Sequence, residues 1–494
     1  FGRNYFQFKI PSKNMDFELI SPENLIFSTK GYCNFPQIID TTFNGKRYLK
    51  AHSDFIPALQ DEEFSYFNPN RMRVEYKLSY NQARGGSRLL TFSDATQRIF
   101  NNIYDLSKEE KKLIEKFYKS LKISSKKNNE EKIRMIENFV KSNFSIQEAY
   151  SKGNANIDEV LNNKYGSKKE MARLFAALFK EADIKHQLVL TTERDDVKFD
   201  RYFDSWNYLV NYIFFFPETD SYLTPEHFEY RYGMVPFHLT HNYGLFIEPV
   251  NIGDFESGIS KIKFIPALDY TKNFDNLKVE VNLDLEREKA SISIDREIGG
   301  YSAVYIQPYY TFLPENRKRE VIESYIKFII NDAEFKNLNV ENSGRNLSPL
   351  TSPFIINSTV ESSSILERAG NKFLLKLGEL IGPQLELYQE NERVTAVEND
   401  FNRLYDRRIK VKIPSNYKIK NPESIKMLVN HAQEGEDIYL FQSDYSLEDG
   451  TLTVQIDEYY KQIDCSIENF EAFRKVINAA ADFNKVTLVL EPLI

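Results

Sequence analysis

Apolar and polar residues follow two different periods along the chain. Over residues 1 to about 100 they alternate one by one, as in Arg73-Val74-Glu75-Tyr76-Lys77-Leu78, between turns rich in Asn, Gly and Pro. That period belongs to half-buried strands, and the stretch resembles half of a β-sandwich. The spacing changes at Leu106. Ser107 and Glu110 make a capping box that opens a helix to about Leu121, apolar at Leu113, Ile114, Phe117 and Leu121. A polar stretch over 124–129 ends it, and Ile133, Ile136, Phe139 and Val140 give a second helix.

Ser167 and Glu170 repeat the capping box. A helix should therefore begin directly after Gly166 and bury Met171, Leu174, Phe175, Leu178 and Phe179. Strands are predicted over 187–191, 207–216 and 244–249, so one helix packs on an antiparallel sheet. From Lys272 the strand period returns in Val279-Glu280-Val281-Asn282-Leu283 and Ala290-Ser291-Ile292-Ser293-Ile294. Later elements are a helix over 315–330, strands over 409–413, 439–443 and 451–459, a helix over 466–479 and a last strand over 485–490. The pattern predicts a multi-domain α+β protein: a β-rich region over 1–105, a core over 106–271 and a β-rich region with two helices over 272–494. The chain opens at Phe1 and runs at once into the strand-like Tyr5-Phe6-Gln7-Phe8-Lys9-Ile10. An upstream segment, with any export signal, is therefore expected to have been removed. The first sheet would then lack strands unless something else covers its edge.

A length of 494 residues is too great for one core. A formal charge of -8 and a pI near 5.6 weigh against a nucleic-acid backbone or an anionic membrane as partner. Lys126, Lys127 and Lys132 are offset by Glu130 and Glu131, as on a solvated helix face. The longest apolar run, Tyr212 to Phe216, fits a buried strand and is far too short to span a bilayer. Two cysteines, Cys33 and Cys465, make neither a disulfide framework nor a thiolate metal site. The six histidines show no H-E-x-x-H spacing, and His238 with His241 is the one close pair. Neither a metal nor another cofactor is expected.

The string Gly166-Ser167-Lys168-Lys169-Glu170-Met171-Ala172, continuing through Leu174-Phe175-Ala176-Ala177-Leu178-Phe179 to Ala182-Asp183-Ile184, resembles the catalytic helix of bacterial transglutaminase-like proteins. These have a papain-like core flanked by β-rich domains of unknown function, here of β-sandwich type. In active members a cysteine starts this helix; Lys168 stands in its place. The family's histidine follows an aromatic-asparagine pair, and Trp206-Asn207-Tyr208 puts Tyr208 there. Its aspartate falls in a string that here is Tyr222-Leu223-Thr224-Pro225, so Thr224 replaces it; Gly233 and Gly244-Leu245 follow in the expected order.

Such chemistry needs a thiolate, an imidazole that holds the proton and a carboxylate that orients the ring. With Lys168, Tyr208 and Thr224 in those places, the resemblance implies a catalytically inactive scaffold or binding module, for which a protease label would describe ancestry. Lys168 as a nucleophile would need burial or a neighbouring cation to lower its pKa; a solvated lysine is the simpler expectation. Two alternatives stay open. One is an active cysteine peptidase or transglutaminase whose site is misaligned, using Cys33 or Cys465. The other is a groove for peptide or glycan lined by Trp206, Tyr208 and Tyr222. The resemblance also implies export from a bacterial cell to the periplasm or cell surface. Oligomeric state is not legible in the sequence.

Overall fold

Strands β1 (Gly2–Tyr5), β2 (Ser12–Pro22), β3 (Leu25–Tyr32), β4 (Ile39–Phe43), β5 (Lys46–Ile56) and β6 (Arg73–Asn81) form two three-stranded antiparallel sheets, ordered β1-β6-β3 and β2-β5-β4. The structure, a computed structural model, describes residues 1–147, 156–253, 255–389 and 391–493. It divides into two compact units, Phe1–Pro266 and Ala267–Ile494. Between the two small sheets lie Met15, Phe17, Ala51, Ile56, Met72 and Val74. Alternation on β6 has an unusual use. Val74 faces that core, while Arg73, Glu75, Lys77 and Ser79 are buried as well, and Glu75 and Lys77 bond residues of the following domain.

The strand pattern ends sooner than expected. Helix α1 (Phe92–Tyr104) occupies residues assigned above to the β-rich region, opened by a capping box of Thr91 and Asp94. Next come α2 (Lys108–Ser120), α3 (Asn129–Asn143), α4 (Ile157–Asn163) and α5 (Lys168–Glu181). The predicted caps at Ser107 and Ser167 are both made: Ser107 with Glu110, and Ser167 with Glu170. Strands β7 (Ser145–Ile146) and β8 (Tyr165–Gly166) form a short parallel pair just before α5.

The main sheet of this unit has β9 (Gln187–Thr191), β10 (Asn211–Phe216), β11 (Ser221–Leu223), β12 (Asn242–Ile252) and β13 (Phe255–Ile265), in the order β11-β10-β9-β12-β13 and antiparallel throughout. Alternate residues separate its faces. Leu188, Leu190, Phe214, Phe216, Leu245 and Ile247 join the helices in one core. Val189, Ile213, Phe246 and Ile265 pack with Val235 and Leu239 on the other face. Burial on both sides explains why 212–216 reads as an unbroken apolar run. β10 starts at Asn211 and not at 207, because the Ser205 side chain accepts from the Asn207 amide and winds Trp206–Tyr208 into a 3₁₀ turn.

Ser167 binds the Glu170 amide and the Glu170 carboxylate binds the Ser167 amide at 2.8 Å, so two otherwise orphaned donors at the start of α5 are satisfied. A side chain on Gly166 would meet Glu170 Oε2 at 3.2 Å and Val160 Cγ2 at 3.3 Å, which keeps that approach tight. Replacing Ser167 with Ala should lower stability by about 1 kcal/mol in a denaturant titration; an unchanged midpoint would mean that Glu170 alone holds the helix start.

In the second unit an eight-stranded sheet runs in the order Glu334–Glu341, Phe354–Ser362, Lys289–Gly299, Phe274–Asp284, Arg403–Lys412, Thr451–Tyr460, Glu436–Glu448, Met427–Gln433. Phe274–Asp284 and Arg403–Lys412 are parallel neighbours. Helices Glu315–Lys327 and Phe470–Asn484 fall where the periodicity put them, within a few residues. The last strand, Leu488–Pro492, joins a separate four-stranded sheet. Inward residues of Thr451–Tyr460 include Glu458, which is admitted because Arg407 binds it at 2.6 Å and the Tyr460 hydroxyl donates to it at 2.9 Å. Among the described residues no helix is long and apolar enough to cross a membrane.

Candidate functional site

Lys168 is the first residue of α5. Its Nζ lies 3.0 Å from Glu226 Oε2 and donates to Asn211 Oδ1 at 3.4 Å. Each partner is held from elsewhere. Asn211 is buried at the start of β10, paired with Thr191 of β9. Glu226 follows β11, and its Oε1 accepts the Tyr212 amide at 3.4 Å. The Lys168 side chain is 39% exposed and that of Glu226 only 5%. Burial pushes the Glu226 carboxyl up from the usual carboxylate range, against the pull of Lys168.

The segment carrying Glu226 is pinned from α3. Glu137 is buried and accepts from Lys141 Nζ at 3.0 Å and from the Tyr232 amide at 3.1 Å, with Arg231 Nη2 at 3.5 Å. Lys141 also donates to the Tyr230 carbonyl at 2.6 Å. Its burial pulls the ammonium pKa down to about 8. Four side-chain and backbone groups of 226–232 thus depend on one buried charge cluster and one strand amide.

The other expected positions lie in different surroundings. Thr224 is buried, and its hydroxyl accepts the Glu226 amide at 3.4 Å, so it shapes the turn that carries the carboxylate. The Tyr208 hydroxyl donates to Glu75 Oε2 at 2.8 Å and lies 3.2 Å from the Tyr32 hydroxyl. Burial and the Glu75 charge push its pKa far up, and the ring packs on Phe199. Arg3 and Arg73 bind the other oxygen of Glu75, at 3.1 and 3.2 Å. Lys77 adds a second tie, donating to the Asp204 carbonyl at 3.1 Å.

The three aromatic residues expected to line a groove share no partner among these contacts. Trp206 donates to the Thr91 carbonyl at 3.0 Å and stacks on Phe1 at 5.8 Å. Tyr222 packs on Phe215 and Phe246, in the cluster on the sheet face away from α5. Residues 206, 208 and 222 therefore sit in three environments, while Lys168 meets Asn211 and Glu226. Sequence reasoning missed both of those. The signals were a lone amide at the head of the apolar string Asn211-Tyr212-Ile213-Phe214-Phe215-Phe216, and a carboxylate directly after Thr224-Pro225.

Cys33 has left-handed backbone (φ 55°), and its thiol donates to the Pro69 carbonyl at 3.4 Å. Cys465 is buried in the second unit, 3.6 Å from the Ser466 carbonyl, and burial raises its thiol pKa. His238 lies 3.8 Å from Glu193, and His241 packs on Phe264. Among the described residues no group of three or more His, Cys, Asp or Glu is arranged to hold a metal ion.

The sequence profile of the transglutaminase-like superfamily matches residues 118–221, which span α5, β9 and β10. Among solved structures, a "putative protease" from Parabacteroides distasonis aligns with a TM-score of 0.54 at 12% identity, over 99% of this chain and 74% of that one. At that identity the likeness is one of fold. No curated protein matches the chain at the level of sequence.

Proposed function

We propose that this chain, which contains a transglutaminase-like domain within a multi-domain α+β fold, is silent in thiol-dependent acyl transfer and serves as a scaffold or binding module. One contact carries the proposal: the Lys168 ammonium on the Glu226 carboxylate, 3.0 Å apart at the start of α5. Thiol chemistry needs an anionic sulfur at that helix start and a base to take its proton. Here the charged group is a cation, and the neighbouring Asn211 amide has no basic nitrogen. Cys33 and Cys465 do not supply the missing parts. The thiols of Cys33 and Cys465 donate to the Pro69 and Ser466 carbonyls, and burial raises the pKa of each against the opposing pull of Arg73 on Cys33 and of Tyr439 and Arg393 on Cys465; a thiol so raised is a poor nucleophile.

The test is direct. Purified protein is offered a panel of fluorogenic amide substrates and, separately, a glutamine donor with a labelled amine. The expected result is no turnover above buffer, unchanged by an alkylating reagent. Turnover abolished by Cys33→Ser or Cys465→Ser would overturn the proposal and restore the peptidase or transglutaminase alternative.

A further inference from the structure

We infer that Lys168, Asn211 and Glu226 constitute a self-modification site, at which the lysine amine and the asparagine amide join in an intramolecular isopeptide bond. The inference goes beyond the proposal above and does not depend on it, since the absence of a thiol enzyme neither requires nor forbids a cross-link.

Three requirements of the reaction are met by observed geometry. The nucleophile must stand beside the amide: Lys168 Nζ donates to Asn211 Oδ1 at 3.4 Å, a contact that brings the amine to the amide whose Cγ it would attack. A proton carrier must touch the nucleophile: Glu226 Oε2 is 3.0 Å from Nζ. That carrier must be fixed and largely shielded from water. The Glu226 side chain is 5% exposed, and its second oxygen is bonded to the Tyr212 amide, next in sequence to Asn211. Burial also favours the uncharged carboxylic acid, the form that can donate toward the amide oxygen.

The step balances without an oxidant or cofactor. Lys168 passes a proton to Glu226, and the neutral Nζ attacks Cγ of Asn211. A C–N bond forms and the carbonyl becomes tetrahedral, its oxygen stabilised by the acid form of Glu226. Collapse breaks the bond from Cγ to Nδ2. Both protons shed by Nζ depart with that nitrogen as ammonium, and Glu226 returns to carboxylate. The product is a secondary amide tying the first turn of α5 to the first residue of β10 across 43 positions of sequence. A link of that span constrains the unfolded chain as a disulfide does.

Mass spectrometry decides the matter without any assay of activity. Wild-type protein, as purified or after prolonged incubation, should be lighter than its encoded mass by one ammonia. Its digest should contain a branched peptide joining Lys168 to Asn211. Lys168→Arg keeps the charge opposite Glu226 but has no amine that can form this bond, so it should have the encoded mass. Glu226→Gln should also have the encoded mass or lose ammonia far more slowly. Because each variant is read by mass, partial loss of stability does not obscure the outcome, and circular dichroism confirms that Lys168→Arg is folded. Wild-type protein that keeps its encoded mass after incubation overturns the inference. So does an ammonia deficit that persists in Lys168→Arg.

Discussion

Replacing Glu137 with alanine should destabilise the protein by about 3–5 kcal/mol, the range for removing one partner of a buried ion pair. The carboxylate is 1% exposed and stands between two buried cations, Lys141 and Arg231, while also accepting the Tyr232 amide. Alanine would leave two like charges close together in a low-dielectric interior and deprive a buried amide of its acceptor. The deficit should depend on pH in a definite direction. Folded Lys141 gives up its proton near pH 8, whereas an unfolded lysine keeps its proton until about 10.4. Between those values the unfolded chain binds more protons, so stability gains from rising pH. Loss of Glu137 lowers the folded pKa of Lys141 further and widens that window, so the variant should recover part of its deficit as the medium becomes alkaline. Recovery stays incomplete, because Arg231 does not deprotonate. Urea titrations at neutral and alkaline pH measure both effects. A loss under about 1 kcal/mol, or an identical deficit at both pH values, would show that the cluster is not a tight buried pair.

The helical core is legible because its helices announce themselves locally. Ser107, Ser167 and their glutamates satisfy helix-end donors wherever the chain folds, so the spacing alone locates α2 and α5. Thr91 and Asp94 make the same box for α1. That helix is hidden because the strands before it set the local pattern and its burial comes from long-range packing, with Thr96 bonded to Ser260 on β13 at 2.6 Å. β13 escapes detection for a related reason. Its alternation of Ser, Lys and Ile is half polar, and it is a strand because it pairs with β12 along its whole length.

The candidate site is legible only in part. Lys168 stands out because a cap and a glycine mark its place in the chain. Its partners do not, because register within an apolar strand is fixed by pairing and not by composition. Trp206-Asn207-Tyr208 has the pattern of a strand head, yet a serine cap makes it a 3₁₀ turn and moves the strand start to Asn211. Tyr208 is drawn instead to Glu75 of β6, a residue 133 positions away that no local motif could announce.

The three positions that separate Tyr208 from Asn211 can be converted into chemistry. With Glu226→Gln present to remove an opposing negative charge, Lys168→Cys combined with Asn211→His should alkylate at position 168 about tenfold faster at neutral pH than Lys168→Cys with Glu226→Gln alone. A sulfur at the first position of α5 gains from the helix N-terminus, and the side chains at 168 and 211 are directed toward one another, Lys168 Nζ donating to Asn211 Oδ1, so that an imidazole at 211, longer than the amide, would extend toward the shorter cysteine. Thiolate fraction at neutral pH rises from a few per cent toward completion, and lower intrinsic nucleophilicity offsets part of that gain. Tyr208→His in the same background should give no acceleration, because position 208 points to Glu75 and Tyr32. Peptide mapping of the alkylated product separates the introduced thiol at position 168 from Cys33 and Cys465. If the histidine at 208 accelerated the reaction and that at 211 did not, the triad register inferred from the amino-acid string would hold, and the contact between Lys168 and Asn211 would have no catalytic ancestry.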